Sequence, residues 1–374
     1  MASKHIIVIG AGAVGLSSAR AALLRGHRVT VIEQGSIPHS RSASFDQHRL
    51  IRYQYGRSPG YTLMVSQAFD AWERLWQDLD AQHFHRTGTL GISLAEGDYA
   101  STSGATMAQV GIEHQWLDAA GIEALCPHLQ MPAHARGLYS STGGVLFADR
   151  IVIGLAAWCR AHGAKLLANT QVQSVDTEAG RVHTTAEMLE GDQIVIAAGA
   201  WLPGLLPAYS ELRIARQAVC YVQAPEQHRA HWANGPCITD LGEGANYALM
   251  PVQGTGLKFG SGQHRRLGSP ADGFAGPPEE GYDVIRYFAP YLRDAEAYRS
   301  QRMQVGYYVL DSSDAFRVEP QGKALVVTNC GGGMFKFSAL MGERVIACLD
   351  HELTPAQLQH WAAGKLPVTT PELS

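Results

Sequence analysis

The sequence predicts an α/β protein in which one domain is assembled from separated stretches of chain and a second, α+β domain is rich in strands. Three observations predict it. A strand–helix–strand run ends at Glu33. Apolar stretches able to extend the same sheet recur only much later, at Gln193–Ala198 and Leu325–Thr328. Between them lie short segments, Tyr221–Ala224, Asn246–Met250 and Gly256–Gly260, that resemble strands of a sheet that is not parallel.

Taken in order, HIIVI at His5–Ile9 is a short β-branched run ending in glycine, read as a buried strand. Ala13–Leu24 reads as a helix that Gly26 is placed to stop, and RVTVIE at Arg28–Glu33 gives a second strand. A right-handed crossover makes that pair parallel. Tyr61–Leu79 reads as an amphipathic helix with Phe69, Trp72, Leu75 and Trp76 on one face. Thr87–Ser93 reads as a strand, Ile151–His162 as a helix and Lys165–Val175 as one strand. Leu325–Thr328 reads as a buried strand, followed by glycine-rich turn residues and a helix over Ala339–Leu349; Gly268–Pro278 is loop.

The 374 residues suit two joined domains. A hydrophobic fraction of 46% with 17% charged residues allows a large core and excludes wholesale disorder. Net charge is −4 without a Lys/Arg block, so no nucleic-acid partner is expected. The six cysteines are far apart with no CxxC pair, which points to reduced thiols and no metal site. The apolar run near the N-terminus is too short for a signal segment and nothing reaches spanning length, so a soluble, cytoplasmic protein without a membrane partner is expected.

Gly10, Gly12 and Gly15 form GAGAVG between the first strand and helix. Gly10 permits the tight turn, Gly12 lets backbone N–H groups reach a pyrophosphate, and Gly15 lets helix and strand pack closely at a helix N-terminus that favours negative charge. Glu33 ends the second strand, where a carboxylate accepts from ribose hydroxyls and would repel a 2′-phosphate. These features make a Rossmann-type dinucleotide unit. They do not separate FAD from NAD.

Four further segments carry a resemblance. QIVIAAGAW (Gln193–Trp201), RLIRYQYG (Arg49–Gly56), GLKFG (Gly256–Gly260) and GGGMFKFS (Gly331–Ser338) are similar to stretches of the D-amino acid oxidase superfamily of flavoproteins, above all its monomeric sarcosine oxidase and N-methyltryptophan oxidase branch. The resemblance implies FAD as cofactor, with an FAD-binding domain from residues 1–80, 146–215 and 319–374 and a substrate domain from 81–145 and 216–318. Beside the fingerprint residues, Ala13, Val14, Arg41, Ser42, Val172, Ala198, Gly199, Trp201, Gly332, Gly333, Met334, Phe335 and Lys336 are then expected at the cofactor.

The implied chemistry is hydride transfer from the carbon beside nitrogen of a small amine or amino acid to FAD, then imine hydrolysis and reoxidation by O2 to hydrogen peroxide. Arg52 and Lys336 match the family's carboxylate clamp; surface solvation is their bland alternative. The helix after Lys336 would direct its dipole at the flavin pyrimidine. Arg49 matches an arginine close to the flavin ring, with an ion pair to Asp46 as the structural alternative. Tyr247 and Tyr308 match tyrosines of the substrate cavity, against plain core packing. Lys258 matches the lysine that promotes reaction with oxygen, against an outward-facing strand lysine.

Departures from the branch are as informative. Gly306 stands where the branch has the cysteine that links FAD covalently, so dissociable FAD is expected. Gly262 replaces a substrate histidine, with His264 nearby; Gly332 or Gly333 replaces the histidine of the C-terminal motif; and Phe45 stands where a histidine lies beside the flavin. The pocket is therefore altered relative to one for sarcosine. Related enzymes suggest a monomer. The rivals are a dehydrogenase of the same fold passing electrons to a quinone or carrier, and an NAD-binding or catalytically silent protein.

Overall fold

The computed structural model describes residues 2–365 apart from 243, 312 and 314, so the end of the expected 319–374 segment, residues 366–374, lies outside the described residues. His5–Ile9 occupies the middle of a six-stranded sheet. It pairs in parallel with Arg28–Ile32, in register from His5↔Arg28 to Ile9↔Ile32, and with Gln193–Ile196 on its other side. Ala324–Thr328 and Lys165–Leu167 extend the parallel sheet, and Arg317–Gln321 adds an antiparallel edge. All five residues of the central strand are buried. Ile6 and Val8 pack on one face with residues of the helices Ala13–Leu24 and Ser338–Leu349, and Ile7 and Ile9 pack on the other with Val175, Val182 and Leu189, so both faces are covered and the apolar run is unbroken. The helices Ala13–Leu24 and Ser338–Leu349 approach closely at small residues: a Cβ on Gly342 would lie 2.4 Å from the Ser17 carbonyl carbon.

Lys165–Val175 is not one strand. Lys165–Leu167 ends the parallel sheet, whereas Val172–Asp176 joins Arg181–Thr184 and Met188–Glu190 in a separate antiparallel sheet. The chain turns between them at Asn169 (φ 51°), where the Asn169 and Thr170 N–H groups donate to the Gly35 and Glu33 carbonyls. Backbone bonds to the Glu33–Gly35 turn thus outcompete continuation of the strand, a long-range choice that local β propensity cannot register.

The second large sheet has nine strands. From Arg266–Leu267 it runs through Arg213–Gln223, Leu257–Gly260, Asn246–Leu249, Cys237–Leu241, Thr89–Ser93 and Arg136–Ser140 to Gln115–Leu117. Arg299–Leu310 pairs along the whole of Arg213–Gln223. Cys237–Leu241 with Thr89–Ser93 is the parallel exception in an otherwise antiparallel sheet. Tyr221–Ala224 is therefore the tail of a much longer strand. The expected junctions at 215/216 and 318/319 fall inside Arg213–Gln223 and Arg317–Gln321. Among the described residues no helix is long and apolar enough to cross a membrane, and no cluster of three or more His, Cys, Asp or Glu could hold a metal ion.

Candidate active site

A cavity of about 810 Å³ is lined by residues from both large sheets. At one end stand Gly10, Gly12, Ala13, Val14, Glu33 and Ser42, followed by Val172, Ala198, Gly199 and Trp201. Gly10 has φ +100°, and a Cβ there would lie 2.4 Å from the Ala197 carbonyl oxygen. Gly15 does not line the cavity but holds the turn from behind: a Cβ on it would lie 1.9 Å from the Gly10 carbonyl oxygen. The helix behind this turn has no side-chain cap and no acidic residue in its first turn. Glu33 accepts from the Ala11 N–H at 2.9 Å and the Gly35 N–H at 3.2 Å, and its Oε1 lies 3.1 Å from His39 Nδ1. Arg41 is outside the cavity lining, exposed, with its guanidinium 5.7 Å from the centre of the Phe274 ring.

The other end is built from charged side chains. Lys258 on Leu257–Gly260 is 2% exposed, and its Nζ donates to Asp46 Oδ2 at 2.9 Å and to the His48 carbonyl at 2.5 Å. Arg49 donates to the same Asp46 oxygen at 2.5 Å and to the Ala43 carbonyl at 2.8 Å, while the Tyr221 hydroxyl donates to Asp46 Oδ1 at 2.5 Å. Burial lowers Lys258 to about 8, with Asp46 opposing the fall and Arg49 adding to it. Burial would raise Asp46, but Lys258 and Arg49 hold its carboxyl far below the usual range. The His48 ring is fully buried without a hydrogen-bond partner, and burial holds it neutral well below the ordinary imidazole value.

Arg52 and Lys336 meet next to this cluster. The Arg52 Nη1 donates to the Tyr99 hydroxyl at 3.0 Å, and its Cζ lies 5.1 and 5.4 Å from the Tyr55 and Tyr99 ring centres. The Lys336 Nζ donates to the Gly333 carbonyl at 3.2 Å and sits 5.5 Å from the Tyr55 ring centre. Burial, then the neighbouring Arg52, lowers Lys336 to about 7. Neither cation makes an ion pair among the described residues, although Asp240, raised to about 7 by burial, feels the field of Arg52. Tyr247 and Tyr308 line the same end, near enough to couple. Trp72 Nε1 donates to the Lys336 carbonyl at 2.7 Å and fixes the turn Met334–Phe337 ahead of the helix Ser338–Leu349.

Residues 5–348 match the protein family described as FAD dependent oxidoreductase. The chain belongs to that family. N-methyl-L-tryptophan oxidase of Citrobacter koseri is 24% identical over 90% of this chain and 92% of its own length. Monomeric sarcosine oxidase of a Bacillus species is 22% identical over 90% of each. Among solved structures, L-proline dehydrogenase from P. horikoshii superposes with a TM-score of 0.82 at 18% identity, covering 98% of this chain and 99% of that one. NikD, described as an unusual amino acid oxidase, gives 0.80 at 18% identity over all of both chains. At these identities the structural likeness establishes a shared fold, and it is the expected fold.

This FAD dependent oxidoreductase has a cradle that fits its cofactor. The Gly10–Gly12 turn leaves no room for Cβ at Gly10, the uncapped helix start suits a pyrophosphate, and the Glu33 carboxylate faces the same cavity. Gly332, Gly333, Met334, Phe335 and Lys336 line the far side. The structure brings Lys258, Arg49, Arg52, Lys336, Tyr247 and Tyr308 together. Lys258 points inward. Arg49 forms the ion pair with Asp46 that was its structural alternative, and it also lines the cavity. His264 turns away to Glu280, 2.8 Å off, and does not line the cavity where Gly262 does.

Sequence reasoning missed Asp46 as the hub of the charged end, and Tyr221 and Tyr99 as partners of Asp46 and Arg52. Asp46 was named only as an ion-pair alternative for Arg49, and nothing local adds Lys258 to it, 212 residues on. Nothing local marks Tyr221 or Tyr99, which arrive through 175-residue and 47-residue separations.

Proposed function

We propose that this flavoenzyme oxidises the C–N bond of a small carboxylate-bearing amine or amino acid and is an oxidase. FAD held in the cavity would supply the hydride acceptor for the carbon beside nitrogen; with loss of a proton from nitrogen the substrate would become an imine that water hydrolyses, and the hydride equivalent and a proton would pass to O2 as hydrogen peroxide. The observation that carries this reading is the pair Arg52 and Lys336, a guanidinium and an amine that is charged below about pH 7, in one cavity wall without an ion-pair partner among the described residues. A carboxylate placed about 4 Å from either gains roughly 4 kcal/mol at an effective dielectric of 20, against about 1 in water. Lys336 spends one of its three donors on Gly333, and Arg52 spends one N–H on Tyr99, so both retain donors for a ligand. Tyr247, whose hydroxyl burial pushes far above its ordinary value, stays protonated as a donor on the same side.

Lys258 would supply a fixed positive charge where O2 becomes negative as it takes electrons. FAD would be held without a covalent link: Gly306 offers no thiol, and burial pushes the nearby Cys330 thiol up to about 12, far from thiolate. Acid denaturation should therefore release the entire yellow chromophore into the supernatant. To test the activity, N-methyl and cyclic amino acids are screened for oxygen uptake with stoichiometric peroxide, next to the same amines lacking the carboxylate. Turnover only with carboxylates, producing peroxide, is expected. Turnover with an artificial acceptor but no peroxide would replace the oxidase with a dehydrogenase, and no turnover with any carboxylate would overturn the reading.

A further inference from the structure

The charged end holds a carboxylate that the proposed chemistry does not use. Asp46 is 7% exposed and lines the cavity, and each of its oxygens is committed: Oδ2 to Lys258 and Arg49, Oδ1 to the Tyr221 hydroxyl and the Gln47 N–H at 2.8 Å. Tyr221 is anchored in turn, since it lies on Arg213–Gln223 in register with Lys258 and carries the Arg302 guanidinium 4.2 Å from its ring centre. A buried ammonium without a partner sheds its proton, and one held by a fixed carboxylate keeps it. An oxygen-activating lysine needs both the proton and a fixed direction.

We propose that Asp46 is a positioning residue for Lys258: its Oδ2, itself fixed by Tyr221 through the other oxygen, holds the ammonium at the cavity wall and keeps it charged while O2 is reduced. The groups facing Lys258 are Asp46, His48, Arg49, Tyr221, Cys237 and Arg302, of which Asp46 is the anion and two are permanent cations, while burial raises the Cys237 thiol. The carboxylate therefore decides whether the ammonium survives. This rests on the oxidase reading for its purpose, but the arrangement can be tested without any substrate.

Two measurements are made on wild type, Asp46→Asn and Asp46→Glu. In the first, the protein is produced with carbon-13-labelled lysine, and the Lys258 Cε signal, assigned by its loss in Lys258→Met, is titrated by NMR. In the second, FAD-loaded protein is photoreduced and its reoxidation by O2 is followed from pH 6 to 9. Asp46→Asn should lower the Lys258 titration by at least one pH unit. It should also move the fall of the reoxidation rate to lower pH by the same amount, with a loss of about fivefold or more at pH 8 and little at pH 6. Asp46→Glu should restore most of both. A merely structural Asp46 would instead reduce the rate equally at every pH and leave the titration in place, which overturns the proposal. Should Asp46→Asn not fold, the wild-type titration decides: an amine titrating below pH 7 means that Asp46 does not sustain the charge. Failure of the amine screen with these shifts intact would sink the oxidase reading alone.

Discussion

The two ends of the cavity are made of different material. Around Gly10–Gly15 the wall is backbone, shaped by glycines whose missing Cβ atoms leave the space, and its one charged side chain of consequence is Glu33. Around Lys258 and Lys336 the wall is side chains: two ion-paired basic groups, two unpaired ones, and the tyrosines Tyr55, Tyr99, Tyr247 and Tyr308 from four different segments. A backbone wall tolerates little change, because a new atom has nowhere to go. A side-chain wall can be altered by degrees, since each group contributes its own share of charge or hydrogen bonding.

The largest expected effect lies at the backbone end. Gly15→Ala puts a Cβ at 1.9 Å from the Gly10 carbonyl oxygen, so the purified protein should retain no FAD by absorbance. Gly12→Ala meets within the protein little more than the Ser44 and Ser42 hydroxyls, at 3.1 and 3.5 Å, but it adds a methyl where the backbone would approach the pyrophosphate and should weaken FAD by about tenfold or more on titration of the apoprotein. If either variant held FAD like wild type, the contrast drawn here would break. Next comes Lys258→Met, expected to slow reoxidation by O2 roughly 10²–10³-fold in stopped flow while flavin reduction by substrate changes little, the scale for losing one fixed electrostatic donor. Equal losses in both half-reactions would remove Lys258 from the oxygen step.

The smallest effect is a pH dependence. Lys336 is charged below about pH 7 and neutral above it, so a small carboxylate lacking an amino group should bind best below that value. Its Kd, read from flavin spectral shifts, should rise by up to tenfold per pH unit above it until only Arg52 remains. Binding that stays flat from pH 6 to 9 would mean that Lys336 lies outside the carboxylate site.

The same contrast explains what was legible in the sequence. The glycine turn and its flanking elements follow from spacing alone, because a backbone site is specified by contiguous residues: Ala13–Leu24 and His5–Ile9 have the bounds read from periodicity. Matching motifs also brought Arg52, Lys258 and Lys336 to one cavity. What could not be read is partnership across the chain. Arg299–Leu310, the longest strand, was not singled out as one. Its mate Arg213–Gln223 was recognised only over its last residues, since its apolar pattern is interrupted by Arg213, Arg216 and Gln217. Arg216 is buried only because Glu280, 64 residues on, takes it bidentately at 2.6 and 2.9 Å. The division of Lys165–Val175 and the hub at Asp46 belong to the same class.

The interleaving of the parallel sheet has a consequence for biosynthesis. Gln193–Ile196 has Ala324–Thr328 as its outer neighbour, and the Lys336 carbonyl is held by Trp72. A chain emerging from the ribosome would carry its glycine turn early. It would then wait for more than three hundred further residues before Ala324–Thr328 and the lysine turn arrive to close the vessel. Until Ala324–Thr328 has emerged the outer edge of Gln193–Ile196 stays unpaired, an exposed template of the kind that nascent-chain binders shield.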